Sequence, residues 1–364
     1  MTRESPPKLR DMTAADLAPP DRLTPWLDAN IPQLGSGPLE VTQLHGGTSN
    51  VILTLNRGGA DMVLRRPPAV APPGAEKGVL REARVLTALA GTPVPHPHCF
   101  GSCADPGVIG VPFYVMERVS GWAAELANEK ITNHAPFDTA PSEYGVAYAM
   151  VDGLVALANV DYKAVGLDDF GRAEGFLERQ VDRWEGQLNS YPKLYGYSGR
   201  EIPSFTYARD WLRANIPDDF RAGIIHGDVG TPNALFAFDH PTRLTALIDW
   251  ELSTIGDPLI DLAWFTNKLR DEDRPGEIDP QALYNIANFP TRQELARYYA
   301  GRTGRDLANF DYYCVLAFYK GGCILEYKVA QSAAGFLSPE TGRFFDRLVL
   351  SNFAKAEQLC RKAG

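Results

Sequence analysis

The stretch that most constrains this chain is residues 222–264, AGIIHGDVGTPNALFAFDHPTRLTALIDWELSTIGDPLIDLAW. Ile224-Ile225 reads as a short apolar strand that delivers His226-Gly227-Asp228. A polar loop then leads to Asn233, just before the apolar run Ala234-Leu235-Phe236. The turn Phe238-Asp239-His240-Pro241 separates that run from Leu244–Ile248, which ends at Asp249. Two short strands joined by such a turn predict a hairpin. A hairpin makes neighbours of the residues at its open end, so Asp228, Asn233 and Asp249 are expected to converge. Carboxylate and carboxamide oxygens are hard ligands that suit Mg²⁺. The remaining carboxylate, Asp228, is then placed to take a proton from a hydroxyl. Taken singly, Asp228 and Asn233 read as loop caps, because Asp and Asn commonly hydrogen-bond their own backbone.

The ordered set His-Gly-Asp-x-x-x-x-Asn, Ile-Asp-Trp-Glu and Gly-Asp-Pro-x-x-Asp-Leu-Ala resembles the aminoglycoside phosphotransferase family. The resemblance implies an α+β, bilobal, protein-kinase-like fold: an N-terminal antiparallel sheet plus helix, and a mainly helical C-terminal lobe. It implies an ATP-dependent phosphotransferase acting on a small-molecule hydroxyl, with Asp228 as catalytic base and Asn233 and Asp249 as Mg²⁺ ligands. Asp261 is expected to brace the catalytic loop from a helix spanning 258–265, and Asp257, before Pro258, to cap that helix. Trp250-Glu251 stands where protein kinases carry Phe-Gly, and Gly256-Asp257-Pro258 follows at once. That leaves no room for a long activation loop and favours the small-molecule branch.

At 364 residues and 45% hydrophobic content the chain can build two lobes. The boundary is expected after Glu117, giving a nucleotide-binding lobe at 1–117 and a catalytic and substrate lobe at 118–364. In the first, strands at 39–44 and 51–55 flank His45-Gly46-Gly47-Thr48-Ser49-Asn50. Such a tip reads as a plain turn on its own. In the family's order, Thr48, Ser49 and Asn50 are implied near the triphosphate. The third strand, from Asp61, carries Arg65 where kinase-like folds usually have lysine. Arg65 is implied as the phosphate contact, with Glu82, on a helix at 77–90, as its partner. The residue-level alternatives are a solvated edge-strand cation and an exposed helix glutamate. Val94–Ser102 and Val108–Met116 predict a hairpin around Asp105-Pro106-Gly107. The run into Met116, Glu117 and Val119 resembles the passage whose backbone grips adenine.

In the second lobe, helices are expected at 144–160, 176–188, 206–215, 291–301, 312–332 and 340–361. Tyr191, Tyr195 and Tyr197 read as helix packing or as pocket lining, with packing the commoner role. The charged run Lys268–Arg274 reads as a solvated face near the substrate entrance. The net charge of −9 disfavours nucleic acid as a partner. No apolar run approaches the roughly eighteen residues of a membrane span, and the N-terminus lacks a signal-peptide core. Five scattered cysteines suggest a reducing cytoplasm. The cluster His96, His98, Cys99 and Cys103 lacks the second ligand pair of a zinc site. The details Val-Leu-Arg-Arg-Pro-Pro, Phe-Tyr-Val-Met-Glu and Arg-Gln-Val-x-Arg-Trp resemble the branch also found fused to acyl-CoA dehydrogenases. The implied partners are a nucleotide (ATP, with GTP open) and a small hydroxylated acceptor, either a hydroxyacyl metabolite or an aminoglycoside-like compound. A catalytically silent nucleotide-binding regulator is the alternative, motivated by Arg65.

Overall fold

The computed structural model describes residues 12–44, 50–68, 75–127, 129–139, 141–272, 284 and 289–363. The chain forms two compact units: Met1–Ser120 with Thr245–Glu251, and Gly121–Leu244 with Leu252–Gly364.

In the first unit, α1 (Ala14–Leu17) starts at a Thr13/Asp16 capping box and α2 (Pro20–Asn30) opens on proline, which suits a position whose N–H needs no partner. The strands β1 (Leu39–Leu44), β2 (Val51–Arg57) and β3 (Ala60–Arg66) follow, then helix α3 (Ala75–Ala88). Strand β4 (Cys99–Cys103), the one-turn helix α4 (Pro106–Ile109) and β5 (Phe113–Glu117) complete the set. The sheet is antiparallel with order β1-β2-β3-β5-β4. Leu23 and Leu27 of α2 pack with Leu53, Leu55, Leu64 and Phe113 of the sheet in one buried cluster. The expected hairpin at 94–116 is shorter than its apolar runs suggest. The Asp105 side chain accepts the Gly107 N–H at 2.7 Å and winds the turn into α4, and β4 carries a register shift between Cys99 and Gly101.

The second unit contains the hairpin β6 (Glu125–Ala127) and β7 (Lys130–Thr132), then α5 (Ser142–Ala158), α6 (Phe176–Leu188), α7 (Tyr191–Tyr195) and α8 (Phe205–Ala214). Next come β8 (Gly223–Ile225), β9 (Ala234–Phe236), β10 (Leu244–Leu247, of which only Leu244 belongs to this unit) and β11 (Thr254–Gly256). The helices α9 (Leu259–Thr266), α10 (Arg292–Thr303), α11 (Phe310–Ala333) and α12 (Pro339–Ala363) end the unit. The Ala237 N–H donates to the Arg243 carbonyl at 3.0 Å, closing the turn that follows β9. Strand β8 pairs antiparallel with β11, Ile224 opposite Ile255. Helix α11 is buried along most of its first half and packs against α6, α8, α9 and α12.

Candidate active site

In the first unit, β3 and β5 place Arg65 directly opposite Tyr114. Side chains opposite each other on antiparallel strands share a face. Both reach Glu82 of α3: the Arg65 Nε lies 3.2 Å from Glu82 Oε2, and the Tyr114 hydroxyl donates to the same oxygen at 3.0 Å. The guanidinium also donates to Asp249 Oδ1 and stands 3.8 Å from Glu251 Oε2. Asn50 Nδ2 lies 3.5 Å from Glu82 Oε1 and 3.4 Å from Glu251 Oε2. Arg65 and Glu82 are only 5% and 1% exposed, so neither is the solvated surface group that each could be from sequence alone. Burial pushes the Glu82 carboxyl up to about 7 against the pull of Arg65. Burial likewise opposes the charge of Arg65, but the carboxylates of Glu82 and Asp249 outweigh it and hold the guanidinium well above its ordinary value. Asp249 itself has φ 68°, a left-handed backbone uncommon outside glycine.

In the second unit, β8 leads into the loop His226–Asn233. The Asp261 carboxylate accepts the His226 N–H at 2.6 Å and the Gly227 N–H at 2.9 Å. Asp261 is therefore the brace expected of it. Burial pushes its carboxyl up, while His226 and the two amides act against that. At Gly227 φ is +87°, and an added Cβ would fall 2.5 Å from the Leu252 carbonyl oxygen, so this step of the loop admits glycine alone. Asn233 Nδ2 donates to the Asp228 carbonyl at 2.8 Å and to Asp228 Oδ2 at 3.0 Å. Asp257 accepts the Leu259 N–H at 3.0 Å, but it also binds the Arg221 N–H, Arg305 and the Tyr313 hydroxyl, making it a buried hub rather than a simple cap.

The structure thus gathers the expected residues into two groups. Asn50, Arg65, Glu82 and Asp249 meet in the first unit, and Asp228 and Asn233 meet in the second. Thr48 and Ser49 lie outside the described residues. Met116 is half-buried on β5, opposite Val63. Glu117 ends β5, with its N–H donated to the His98 carbonyl at 2.8 Å and its carboxylate accepting the His98 N–H at 3.2 Å. Val119 is half-buried past the end of that strand.

The donor chemistry fits Mg²⁺. Among the described residues Glu82, Asp249 and Glu251 each offer a carboxylate oxygen within 4.8 Å of the others, and Arg65 meets their charge. Asn233 turns its amide nitrogen to Asp228, which leaves its carbonyl oxygen for a hard cation. His96, His98, Cys99 and Cys103 belong to no such group among the described residues, and all five cysteines are free.

Several members of these clusters were not assigned from sequence. Tyr114 follows from β3–β5 register, which a motif does not give. From sequence, Glu251 marks only the small-molecule branch. The solvated face expected at Lys268–Arg274 does not hold at its start: Leu269 is 8% exposed, and Arg292, reaching back from α10, pairs with Asp271 at 2.6 Å. Asp273 and Arg274 lie outside the described residues. Lys320, a single cation inside the apolar run Phe318-Tyr319-Lys320-Gly321-Gly322-Cys323, is buried against the Asp228 loop and donates to the Gly227 carbonyl. Of the tyrosines, Tyr191 packs, 2% exposed, with its hydroxyl on the Cys323 carbonyl at 3.2 Å. Tyr197 binds Glu326 Oε1 at 2.5 Å and lines a cavity of about 500 Å³ with Arg200, Phe205 and Tyr207. The Tyr195 side chain lies outside the described residues.

The family model described as the phosphotransferase enzyme family matches residues 40–298. The chain belongs to that family. Its fold is kinase-like, and its family is one of phosphotransferases. Acyl-CoA dehydrogenase family member 11 of Gallus gallus is 32% identical over 343 residues, covering 91% of the chain and 42% of that protein. The chain thus spans about two fifths of the length of this curated relative. A solved structure described as a candidate aminoglycoside phosphotransferase from Ralstonia eutropha superposes with a TM-score of 0.75 at 28% identity, covering 93% of this chain and 98% of that one. Aminoglycoside phosphotransferase APH(4)-Ia, in a ternary complex with AMP-PNP and hygromycin B, shares the fold with a TM-score of 0.55 at 15% identity, covering 93% and 97%. No helix among the described residues is long and apolar enough to cross a membrane.

Proposed function

We propose that this phosphotransferase moves the γ-phosphoryl group of ATP to a hydroxyl of a small molecule, with Asp228 as the base. The Asp228 loop carries the reading. Its two leading amides are held by one buried carboxylate, and its own carboxylate is held by Asn233, so a single proton acceptor is kept in one orientation. In the step, the acceptor oxygen bonds to the γ-phosphorus as the bond from phosphorus to the bridging oxygen breaks. The hydroxyl proton passes to an Asp228 carboxylate oxygen and ADP departs. Arg65, steadied by Glu82, meets the phosphates, with Thr48, Ser49 and Asn50 beside them. Met116 and the backbone around Glu117–Val119 receive the adenine ring. Asn233 and Asp249 hold Mg²⁺, which when bound supplies positive charge to the phosphate oxygens.

Candidate acceptors are hydroxyacyl metabolites, in view of the acyl-CoA dehydrogenase relative, and aminoglycoside-like compounds, in view of the Ralstonia protein. Five free cysteines suit a reducing cytoplasm. The test is turnover of ATP and of GTP with both acceptor panels, with Mg²⁺ and with EDTA. Asp228→Ala is expected to cut turnover by about 10²–10⁴-fold while nucleotide still binds by calorimetry. Near-normal turnover in that variant rejects the assignment of the base. Nucleotide binding by the wild-type chain with no turnover on any acceptor supports the second reading, a silent regulator, which Arg65 in place of lysine favours.

A further inference from the structure

Two lysines converge on the Asp228 loop from outside the family motif. Lys320, on α11, is 4% exposed, and its ammonium donates to the Gly227 carbonyl. That ammonium lies 4.3 Å from the ring centre of Trp264 and 5.4 Å from that of Trp184. Lys268, just past α9, stands over the same Trp264 ring at 5.0 Å. Its ammonium would lie 3.6 Å from a Cβ built on Gly230, two positions beyond Asp228. Neither ammonium has a carboxylate within 4.0 Å among the described residues. The indole nitrogens of Trp184, 4% exposed, and Trp264 are buried and have no hydrogen-bond partner among the described residues.

The neighbourhood is rich in donors and short of acceptors. Asp261 spends both oxygens on the His226 and Gly227 amides, and Asp228 is engaged by Asn233. A buried ammonium is costly unless something negative answers it, and one carbonyl with two ring faces answers Lys320 only in part. Burial pulls Lys268 below its ordinary value, with Asp228 acting to hold it up. Two cations with uncommitted charge, beside the residue read as the base, match a group that arrives carrying negative charge. In phosphoryl transfer that group is the phosphoryl itself, whose charge is spread over three oxygens in the transition state. Preorganised cations in a water-poor site act most strongly on such a species.

We propose that Lys268 and Lys320 form a cation pair serving the transferring phosphoryl group at the Asp228 loop. Lys268 is the catalytic residue that faces the phosphoryl oxygens, and Lys320 is a positioning residue that fixes the loop through Gly227. The proposal rests on the reading of Asp228 as base of a phosphotransferase.

The test uses the full chain and calorimetry with ADP–Mg²⁺, alone and with aluminium fluoride, a planar mimic of the phosphoryl in flight. The wild-type chain is expected to bind ADP more tightly when fluoride is added. Lys268→Met should keep its ADP–Mg²⁺ affinity but lose most of that tightening, by about 10²-fold, and Lys268→Arg should restore much of it. If Lys268→Met does not fold, Lys268→Gln against Lys268→Arg makes the same comparison. Lys320→Met should reduce the tightening while Lys320→Arg keeps more of it. Full tightening in Lys268→Met overturns the proposal, as does an equal loss of ADP–Mg²⁺ affinity with and without fluoride, which is the mark of a structural role. A wild-type chain that binds ADP–Mg²⁺ with no tightening at all sinks the phosphotransfer reading itself, and the proposal with it.

Discussion

Lys320 is the residue at which folding and chemistry pull hardest against each other. Burial lowers it from 10.5 to about 8, with Asp228 and Asp261 acting to raise it and Arg183 and Lys268 to lower it. Below pH 8 both folded and unfolded chains carry the charge, and the folded state bears the full cost. Between about 8 and 10.5 the unfolded chain holds a proton that the folded one has lost, so this group's contribution makes stability rise with pH. Above that range both states are neutral and the cost has gone. Urea unfolding at pH 7.5 and 10 should therefore show a more positive change for wild type than for Lys320→Met, and parallel changes would refute the buried charge. Residues of this kind are the hardest to read from sequence. Asp228, Asn233 and Glu82 stand at motif spacing, whereas Lys320 shows itself only as one charge inside an apolar helix. Tyr114 shows itself only once β3 and β5 are in register.

At the level of elements, α11 and α12 are legible from helical periodicity, but their closeness is not. At Gly322 an added Cβ would sit 2.3 Å from the Phe353 ring. That ring in turn meets Tyr319 edge-on at 5.8 Å and Phe205 at 5.5 Å. Alanine is worth up to about 1 kcal/mol over glycine in a helix, yet overpacking a filled contact costs roughly 1–3 kcal/mol. Gly322→Ala is expected to be net destabilising by about 1 kcal/mol, read as a lowered urea midpoint; a raised midpoint would show that the two helices can part without cost. The pairing of β8 with β11 was hidden for a related reason. Ile224 meets Ile255 across thirty intervening positions, and each run is too short to announce a partner. Local chemistry also decided the β4–β5 connection, where one aspartate winds the tip of the expected hairpin into a helical turn.

Over the whole molecule, the order of residues along the chain and the membership of the two units diverge. Thr245–Glu251 belongs with Met1–Ser120 although more than a hundred residues of the second unit intervene. Within the first unit that segment supplies the Leu247 N–H to the Pro95 carbonyl at 2.9 Å and brings Asp249 to Arg65. A fragment of residues 1–120 would leave the buried Arg65 and Glu82 without Asp249 and Glu251. Removing one partner of a buried charge group costs about 3–5 kcal/mol. The fragment is expected to give poorly dispersed amide NMR spectra, and a folded, cooperative fragment would contradict the assignment of 245–251 to this unit. A single cut in the sequence cannot express such a unit, because its last seven residues follow more than a hundred of the other.

That returning segment also has a meaning in time. Chains leave the ribosome N-terminus first, and domains tend to fold as soon as they are whole. Here the first unit stays incomplete until position 251 has emerged, so during synthesis a five-stranded sheet must wait for its last segment while residues 121–244 are translated. The nascent protein would carry the Arg65–Glu82 pair through that interval, and the returning segment brings the arginine its second carboxylate, Asp249.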